Sequence, residues 1–276
     1  MSSSLDALVA PAPRSHSRAR LGAYGTWQMR DYLIDRGAPT VIVGALFGYM
    51  VGGPMFAELK MQLERSPDAV ARLGGMEAAR TVMISDRTVT FLIMVLGNLV
   101  FLGALFAMNG IVANDRKQGY YRFLFSKPLA PQRYYGQAFV LHWAGFLLIL
   151  TLLGLLFQAL VGPVLTVPLY AASGLMYLCY AGIAFALSAA ARWDWLSLVA
   201  VTVAANYLWL RYGESQSALT ALLYLFPPIH RTSEVYTAVA RGVALPWHLL
   251  AWFAAYGAAS FVIGLVVLRY RRLAII

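Results

Sequence analysis

Long apolar runs separated by short polar segments dominate this chain. A helix needs about 20 mostly apolar residues to cross a hydrocarbon core of about 30 Å. Six runs reach or approach that length, and they contain no Asp, Glu, Lys or Arg. The sequence therefore predicts an all-α integral membrane protein with one six-helix transmembrane domain over 39–276. The predicted spans are about 39–57, 88–112, 138–162, 168–191, 195–210 and 247–268.

The segments between the spans indicate further short helices. Residues 1–38 hold five Arg and no long apolar run, which favours a cytoplasmic N-terminal segment with an interfacial helix. Residues 58–87 show helical spacing interrupted at Pro67, and we predict a pair of short amphipathic helices there. Residues 218–226 are apolar but too short to span, so we expect a re-entrant or interfacial helix.

Composition supports this class of protein. Hydrophobic residues make up 60% and charged residues 12% of the chain, against roughly 45–50% and 25% in soluble domains. Such a chain is neither a conventional soluble enzyme nor disordered. The formal net charge of +10 would suggest nucleic acid in a soluble protein, but here an anionic membrane explains it better, and no nucleic-acid partner is expected.

The distribution of basic residues predicts the orientation. Segments 1–38, 113–137, 192–194 and the tail after Leu268 hold fourteen Lys and Arg, whereas the alternate segments hold eight. Because Lys and Arg near the span ends remain on the cytoplasmic side, both termini and the 113–137 loop are predicted to be cytoplasmic. We therefore expect a multi-pass protein of the plasma (cytoplasmic or inner) membrane.

Several catalytic groups are missing from the sequence. A phosphate-binding loop needs Gly-x-x-x-x-Gly-Lys-Ser/Thr, but the three lysines are followed by Met, Gln and Pro. The sequence contains no His-Glu-x-x-His motif, and the predicted spans lack the carboxylates of a usual proton relay. We therefore expect a non-catalytic chain that binds no metal or cofactor itself. His142, inside the third span, either lines a pathway or bonds a neighbouring helix, and we favour the second role.

Three glycines form a stripe along the first span. Gly44, Gly48 and Gly52 recur at intervals of four, which places them on one helix face where another backbone can approach closely. The partner of this face is either a second subunit or a helix of the same chain, and the spacing favours neither.

The polar segment 113–137 is unusually rich in aromatic residues for a loop in water. It opens with Asp115-Arg116-Lys117, turns at Gly119 and is interrupted by Pro128. Between the turn and the proline stand five bulky residues: Tyr120, Tyr121, Phe123, Leu124 and Phe125. So many apolar groups need either the headgroup interface or a protein partner.

This loop resembles the one after the second span in type-2 ABC exporter permeases. The family pattern is an acid and Arg, Gly-Thr, another acid, a Leu pair, Pro, Arg, and Gly-Lys at the start of the third span. The matching residues are Asp115-Arg116, Gly119, Leu124-Phe125, Pro128 and Arg133, while Tyr120, Arg122 and Gln137 replace the usual Thr, acid and Lys.

The resemblance implies the membrane-spanning subunit of an ATP-driven exporter, without a fused ATPase. A separate cytoplasmic ABC ATPase subunit would carry ATP and Mg, and the permease would form a homodimer or pair with a paralogous permease among the membrane lipids. Residues 114–125 would be the coupling helix, and the first and fifth spans would form the dimer contact. The implied ATPase contacts are Asp115, Arg116, Gly119, Tyr120, Phe123, Leu124, Pro128 and Arg133. The alternatives are an ion-coupled secondary transporter and a membrane-embedded accessory or enzyme protein.

Overall fold

The described part of the chain is folded almost entirely into helices. The computed structural model describes residues 16–65, 67–72, 87–108, 111–117, 119, 130–160, 165–190, 196–213 and 223–270. Within these ranges there is no strand, and five helices are long and apolar enough to cross a membrane. This confirms the all-α fold and the multi-pass membrane character. The five helices are Tyr24–Met55, Arg87–Asp115, Pro131–Ala159, Val167–Ala190 and Trp247–Tyr270.

The first helix, α1, extends without a break over 16–65. It begins as His16–Asp31, contains π-helical turns at Tyr32–Gly37 and Gly48–Gly52, and ends with Gly53–Arg65. No interruption therefore separates residues 16–38 from the first span predicted at 39. The helix continues through the charged Arg36 because that side chain turns inward, where its guanidinium donates to the Ala107 carbonyl at 2.7 Å.

The other helices follow the apolar runs, with shifted ends. The third long helix begins at Pro131 rather than at 138, since proline suits the first helical turn, where its missing N–H costs nothing. The helices after α1 are α2 (Pro67–Arg72), α3 (87–108, with a π-helical turn at Leu92–Leu96), α4 (Ile111–Lys117), α5 (Pro131–Leu160), α6 (Val167–Ala190), α7 (Leu196–Tyr212), α8 (Thr232–Ala240) and α9 (Trp247–Tyr270).

Contacts at several levels fix the relative directions of α1, α3 and α5. α1 and α5 run the same way: the Gln28 amide reaches the Tyr134 carbonyl near their starts, and Gly52 faces Phe157 near their ends. α3 runs the opposite way beside α1, with contacts at Arg36–Ala107, Gly44–Leu99 and Gly52–Phe91.

The most buried helix is α6, which contacts α3, α4, α5, α7, α8 and α9. It runs parallel to α9, because Gly182 meets Gly257 and Phe185 meets Gly264 further along both helices. A Cβ atom on Gly257 would lie 2.5 Å from the Leu178 carbonyl oxygen, closer than real Cβ atoms approach. These glycines therefore allow backbone-to-backbone contact, which small residues permit between membrane helices.

The two regions of predicted short helices are described only in part. Helix α1 ends at Arg65 and α2 begins at Pro67, as the proline predicts, whereas 73–86 lie outside the described residues. Of the expected re-entrant segment 218–226, the described end is a turn in which the Phe226 amide donates to the Leu223 carbonyl at 3.0 Å. The sequence did not predict α8, which packs against α6 and the start of α3 with Tyr236 fully buried.

Candidate functional site

A hydrogen bond joins the two ends of segment 113–137, the predicted coupling loop. Asp115 on α4 accepts a hydrogen bond from the Tyr135 hydroxyl on α5, at 2.9 Å. Tyr135 is fully buried, so its ring is held firmly while its hydroxyl reaches the carboxylate. A hydrogen bond to a charged group is stronger than one between neutral groups. The bond therefore links the helix that enters the loop to the helix that leaves it.

The loop itself is described only at its ends. Gly119 adopts φ +72°, a left-handed conformation that favours glycine and that commonly ends helices such as α4. Arg133 is exposed on the first turn of α5, and Arg116 lies within α4. The remaining predicted contacts, Tyr120, Phe123, Leu124 and Pro128, lie outside the described residues.

Two side chains from other helices bind backbone groups between Ala107 on α3 and Ala113 on α4. The Arg36 guanidinium on α1 donates to the Ala107 carbonyl, near the end of α3. On the other side, the Ser188 hydroxyl on α6 accepts from the amides of Val112 and Ala113 at 3.0 and 3.3 Å. Each contact joins a side chain of one helix to the backbone of another. α1 and α6 therefore both hold the junction of α3 and α4 in place.

A buried aromatic contact joins α1 to α5 at the same level. Tyr32 is fully buried and stacks on the His142 ring, with centroids 4.7 Å apart. Gly145 makes room for this stack, since a Cβ atom there would lie 2.6 Å from the Tyr32 Cδ1 atom. The Tyr32 hydroxyl and His142 Nδ1 have no hydrogen-bond partner among the described residues. His142 thus lies at the interface between α5 and α1, where it stacks on Tyr32.

Charged groups surround this contact. Asp115 lies within electrostatic range of Arg36 and of Asp31, and Arg36 also acts on His142. Asp31 and Asp35 are neighbours one helical turn apart on α1. α1, α4 and α5 therefore bring together one guanidinium, two partly buried carboxylates and a buried imidazole. These groups belong to Arg36, Asp31, Asp115 and His142. The described residues contain no cluster of three His, Cys, Asp or Glu that could hold a metal ion.

The glycine stripe on α1 divides into two kinds of position. A Cβ atom on Gly44 would clash with Leu153 and Leu99, and one on Gly52 would lie 3.0 Å from Phe91. Both glycines therefore pack against helices of the same chain. Gly48 lies between them but meets no atom within 4 Å.

An aromatic cluster occupies the opposite end of the bundle. Trp209 on α7 stacks on His230 with centroids 3.9 Å apart, and Tyr224 meets Trp209 edge-on at 5.5 Å. Burial, aided by the nearby Arg231, lowers the pKa of His230 to about 4. His230 is therefore neutral at pH 7.

An ion pair borders the aromatic cluster. Arg231 donates two hydrogen bonds to the Glu234 carboxylate, each 2.7 Å long. These bonds lower the pKa of the carboxyl and raise that of the guanidinium. Both side chains are largely exposed, so the pair adds at most about 1 kcal/mol to stability.

The residues that connect the helices were not singled out from the sequence. Arg36 was counted only among the basic residues that set the orientation, and Ser188 is one small residue in an apolar run. Tyr135 had a weak signal, because the Tyr134-Tyr135 pair stands at the end of the loop. The partners of all three come from distant parts of the chain, which a single sequence does not reveal.

Comparison with protein-family models, with curated proteins and with solved structures finds no match to this chain.

Proposed function

We propose that this chain is the membrane-spanning permease subunit of an ATP-driven ABC exporter of the type-2 class. The observation that carries the proposal is the Asp115–Tyr135 hydrogen bond, which connects both ends of segment 113–137. A force applied to this segment from the cytosol would act on α4 and α5 together. The absence of a phosphate-binding loop from the sequence fits a chain that depends on a separate ATPase for energy.

The parallel packing of α6 and α9 supports six spans. Two neighbouring helices that run in the same direction begin at the same membrane face, so the chain between them must cross back. α7 lies in that connection and has 17 residues, or about 25 Å at 1.5 Å per residue. This length is at the lower end of the range for spanning helices. We therefore propose that α7 is the additional span, the fifth in chain order. Six spans would place both chain ends on the cytoplasmic side, in agreement with the distribution of Lys and Arg.

In this mechanism a partner ATPase binds the aromatic part of the loop and moves it when ATP and Mg are bound and hydrolysed. The motion passes through Asp115 to α4 and through Tyr135 to α5. Arg36 and Ser188 extend it to α1 and α6, because they bind the backbone on either side of the α3–α4 junction. A ligand shifts a conformational equilibrium only by its differential affinity for the two states. The ATPase must therefore contact the loop differently when nucleotide is bound.

The permease acts as a homodimer or beside a paralogous permease. Gly44 and Gly52 are used within the chain, so the remaining candidate for the dimer contact on this stripe is Gly48, which faces open space. The neighbouring Tyr49 and Met50 are strongly exposed and offer apolar area to a second subunit or to lipid.

The proposal is tested by purifying the tagged full chain from its own membranes and measuring ATP hydrolysis in the complex. We expect a co-purified ATPase whose association is lost in Leu124→Asp and retained in Ser126→Asp, which adds the same charge to the same loop. If no ATPase co-purifies with the wild-type chain, or if both variants retain it equally, the coupling role is wrong.

A secondary transporter is the second candidate, and one observation favours it. Asp31 and Asp115 are partly buried carboxylates of a kind that the predicted spans lacked, and Asp115 and the buried His142 both lie near Arg36. Uptake into inverted membrane vesicles separates the two functions once a substrate is known. Vanadate, which leaves the proton gradient intact, should stop uptake by an exporter. An uncoupler, added while ATP is still present, should stop uptake by a secondary transporter.

A further inference from the structure

The part of α1 between Gly25 and Ile34 forms an open groove with Leu141 of α5. It is a wide, shallow groove that is open along most of its face, with a volume of about 700 Å³. Met29, Leu33 and Ile34 on α1 and Leu141 on α5 give it an apolar lining, and Arg30 stands among them. The groove opens at the surface of the bundle and is separate from the buried Tyr32–His142 contact.

The position of the groove along α1 corresponds to the edge of the membrane. Because α1 continues without a break through 39, we place the membrane edge at Ile34 instead of at the predicted 39. The twenty residues 34–53 then rise by about 30 Å, the thickness of the hydrocarbon core. Ile34 and Leu33 would then lie at the edge of the acyl chains, and Arg30 one turn further out among the headgroups. Trp27, which is 52% exposed, lies at the level where tryptophan side chains favour the interface.

The charges of the groove suit a phosphate. Arg30 is exposed and donates no hydrogen bond to any of the described residues. Neither Asp31 nor Asp35 lines the groove, so no carboxylate of its lining competes for the guanidinium. Guanidinium groups bind phosphate through two parallel hydrogen bonds. A phosphate would pair with the Arg30 guanidinium, and an alkyl chain would pack against the apolar side chains of Leu33 and Ile34.

We propose that this groove is a binding site for one phospholipid, with its phosphodiester on Arg30 and an acyl chain against Met29, Ile34 and Leu141. Arg30 defines where the headgroup lies, and the apolar residues below it accept the chain. The site is independent of ATP coupling and would exist whichever transport class the protein belongs to. A second copy of the chain is the competing occupant, and it would bury the same apolar residues without needing a phosphate.

The test is native mass spectrometry of the purified full chain, titrated with four compounds. They are phosphatidylglycerol, phosphatidylcholine, diacylglycerol with the same chains, and glycerol 3-phosphate. We expect one tightly bound molecule of either phospholipid, and weak binding of the two compounds that lack the phosphate or the chains. Arg30→Gln should weaken phospholipid binding about fivefold or more, as expected for one Arg at a membrane surface.

Arg269→Gln is the matched control, since Arg269 is also exposed and ends a long apolar helix but does not line the groove. We expect it to leave the tightly bound phospholipid in place. Equal weakening by both variants, or equal binding of diacylglycerol and phospholipid, would overturn the site. So would efficient crosslinking between two Ile34→Cys chains that prevents lipid binding, because a second copy would then occupy the groove.

Discussion

The hydrogen bond between Asp115 and Tyr135 makes a quantitative prediction. Tyr135→Phe removes only the hydroxyl and leaves the ring in its buried position. A hydrogen bond to a charged group contributes about 1.5–3 kcal/mol. Asp115 is only partly buried, so water can replace part of the lost interaction. We therefore expect Tyr135→Phe to lower the free energy of unfolding by about 1.5–2 kcal/mol, the lower part of that range.

A double-mutant cycle measures the pair itself. The free energy of unfolding is obtained for the wild type, Tyr135→Phe, Asp115→Asn and the double variant by titrating detergent-solubilised protein with a denaturing detergent. Because the two residues share one bond, the effects of the single changes should fail to add, with an interaction energy within the usual 0.5–3 kcal/mol for contacting residues. Tyr207→Phe is the control, since Tyr207 is 61% exposed and its change should stay within about 0.5 kcal/mol.

The reasoning is refuted if the single effects add fully, since the two residues would then be energetically independent. It is also refuted if Tyr135→Phe is no more destabilising than Tyr207→Phe. Either result would mean that the bond does not connect the two ends of segment 113–137, and the proposed transmission from α4 to α5 would lose its basis.

Three further predictions concern other contacts. Gly182→Ala should destabilise the protein by about 1–3 kcal/mol through overpacking, whereas Gly48→Ala should be neutral or slightly stabilising; thermal unfolding in detergent compares them. Ser188→Ala should cost about 0.5–1.5 kcal/mol because the Val112 and Ala113 amides lose a side-chain acceptor, and hydrogen exchange at Val112 should accelerate. His230 has a pKa of about 4 when folded and about 6.5 when unfolded, so the unfolded state takes up its proton first on acidification. Stability should therefore fall as the pH drops from about 6.5 to 4; the loss should be smaller in His230→Gln, and an equal loss in both proteins would contradict the prediction.

The helices were predictable because the apolar runs that produce them are local. Pro67 also fixes a helix end through its missing N–H, which acts within a few residues, whereas the start of α5 at Pro131 was predicted seven residues too late, at 138. The start of the first span was harder to locate. Arg36 has the sequence signature of a cytoplasmic boundary residue, but its side chain reaches a carbonyl about 70 positions away and the helix continues through it.

The candidate site was predictable only where one segment contains it. Gly119 was identified as a turn, and its positive φ agrees with that prediction. The partners of Asp115 depend instead on how helices from different parts of the chain pack. Helix α8 was missed for a related reason: its nine residues include an exposed Glu234, and its burial comes from α3 and α6 rather than from an apolar run of its own.

The contact between Gly182 and Gly257 has a mechanical consequence. Side chains that interlock can exchange rotamers and slide by small steps, but two backbones in direct contact have no such freedom. α6 and α9 should therefore move as one rigid unit. Under the proposed export mechanism, a disulfide engineered across the α6–α9 contact should leave transport unchanged.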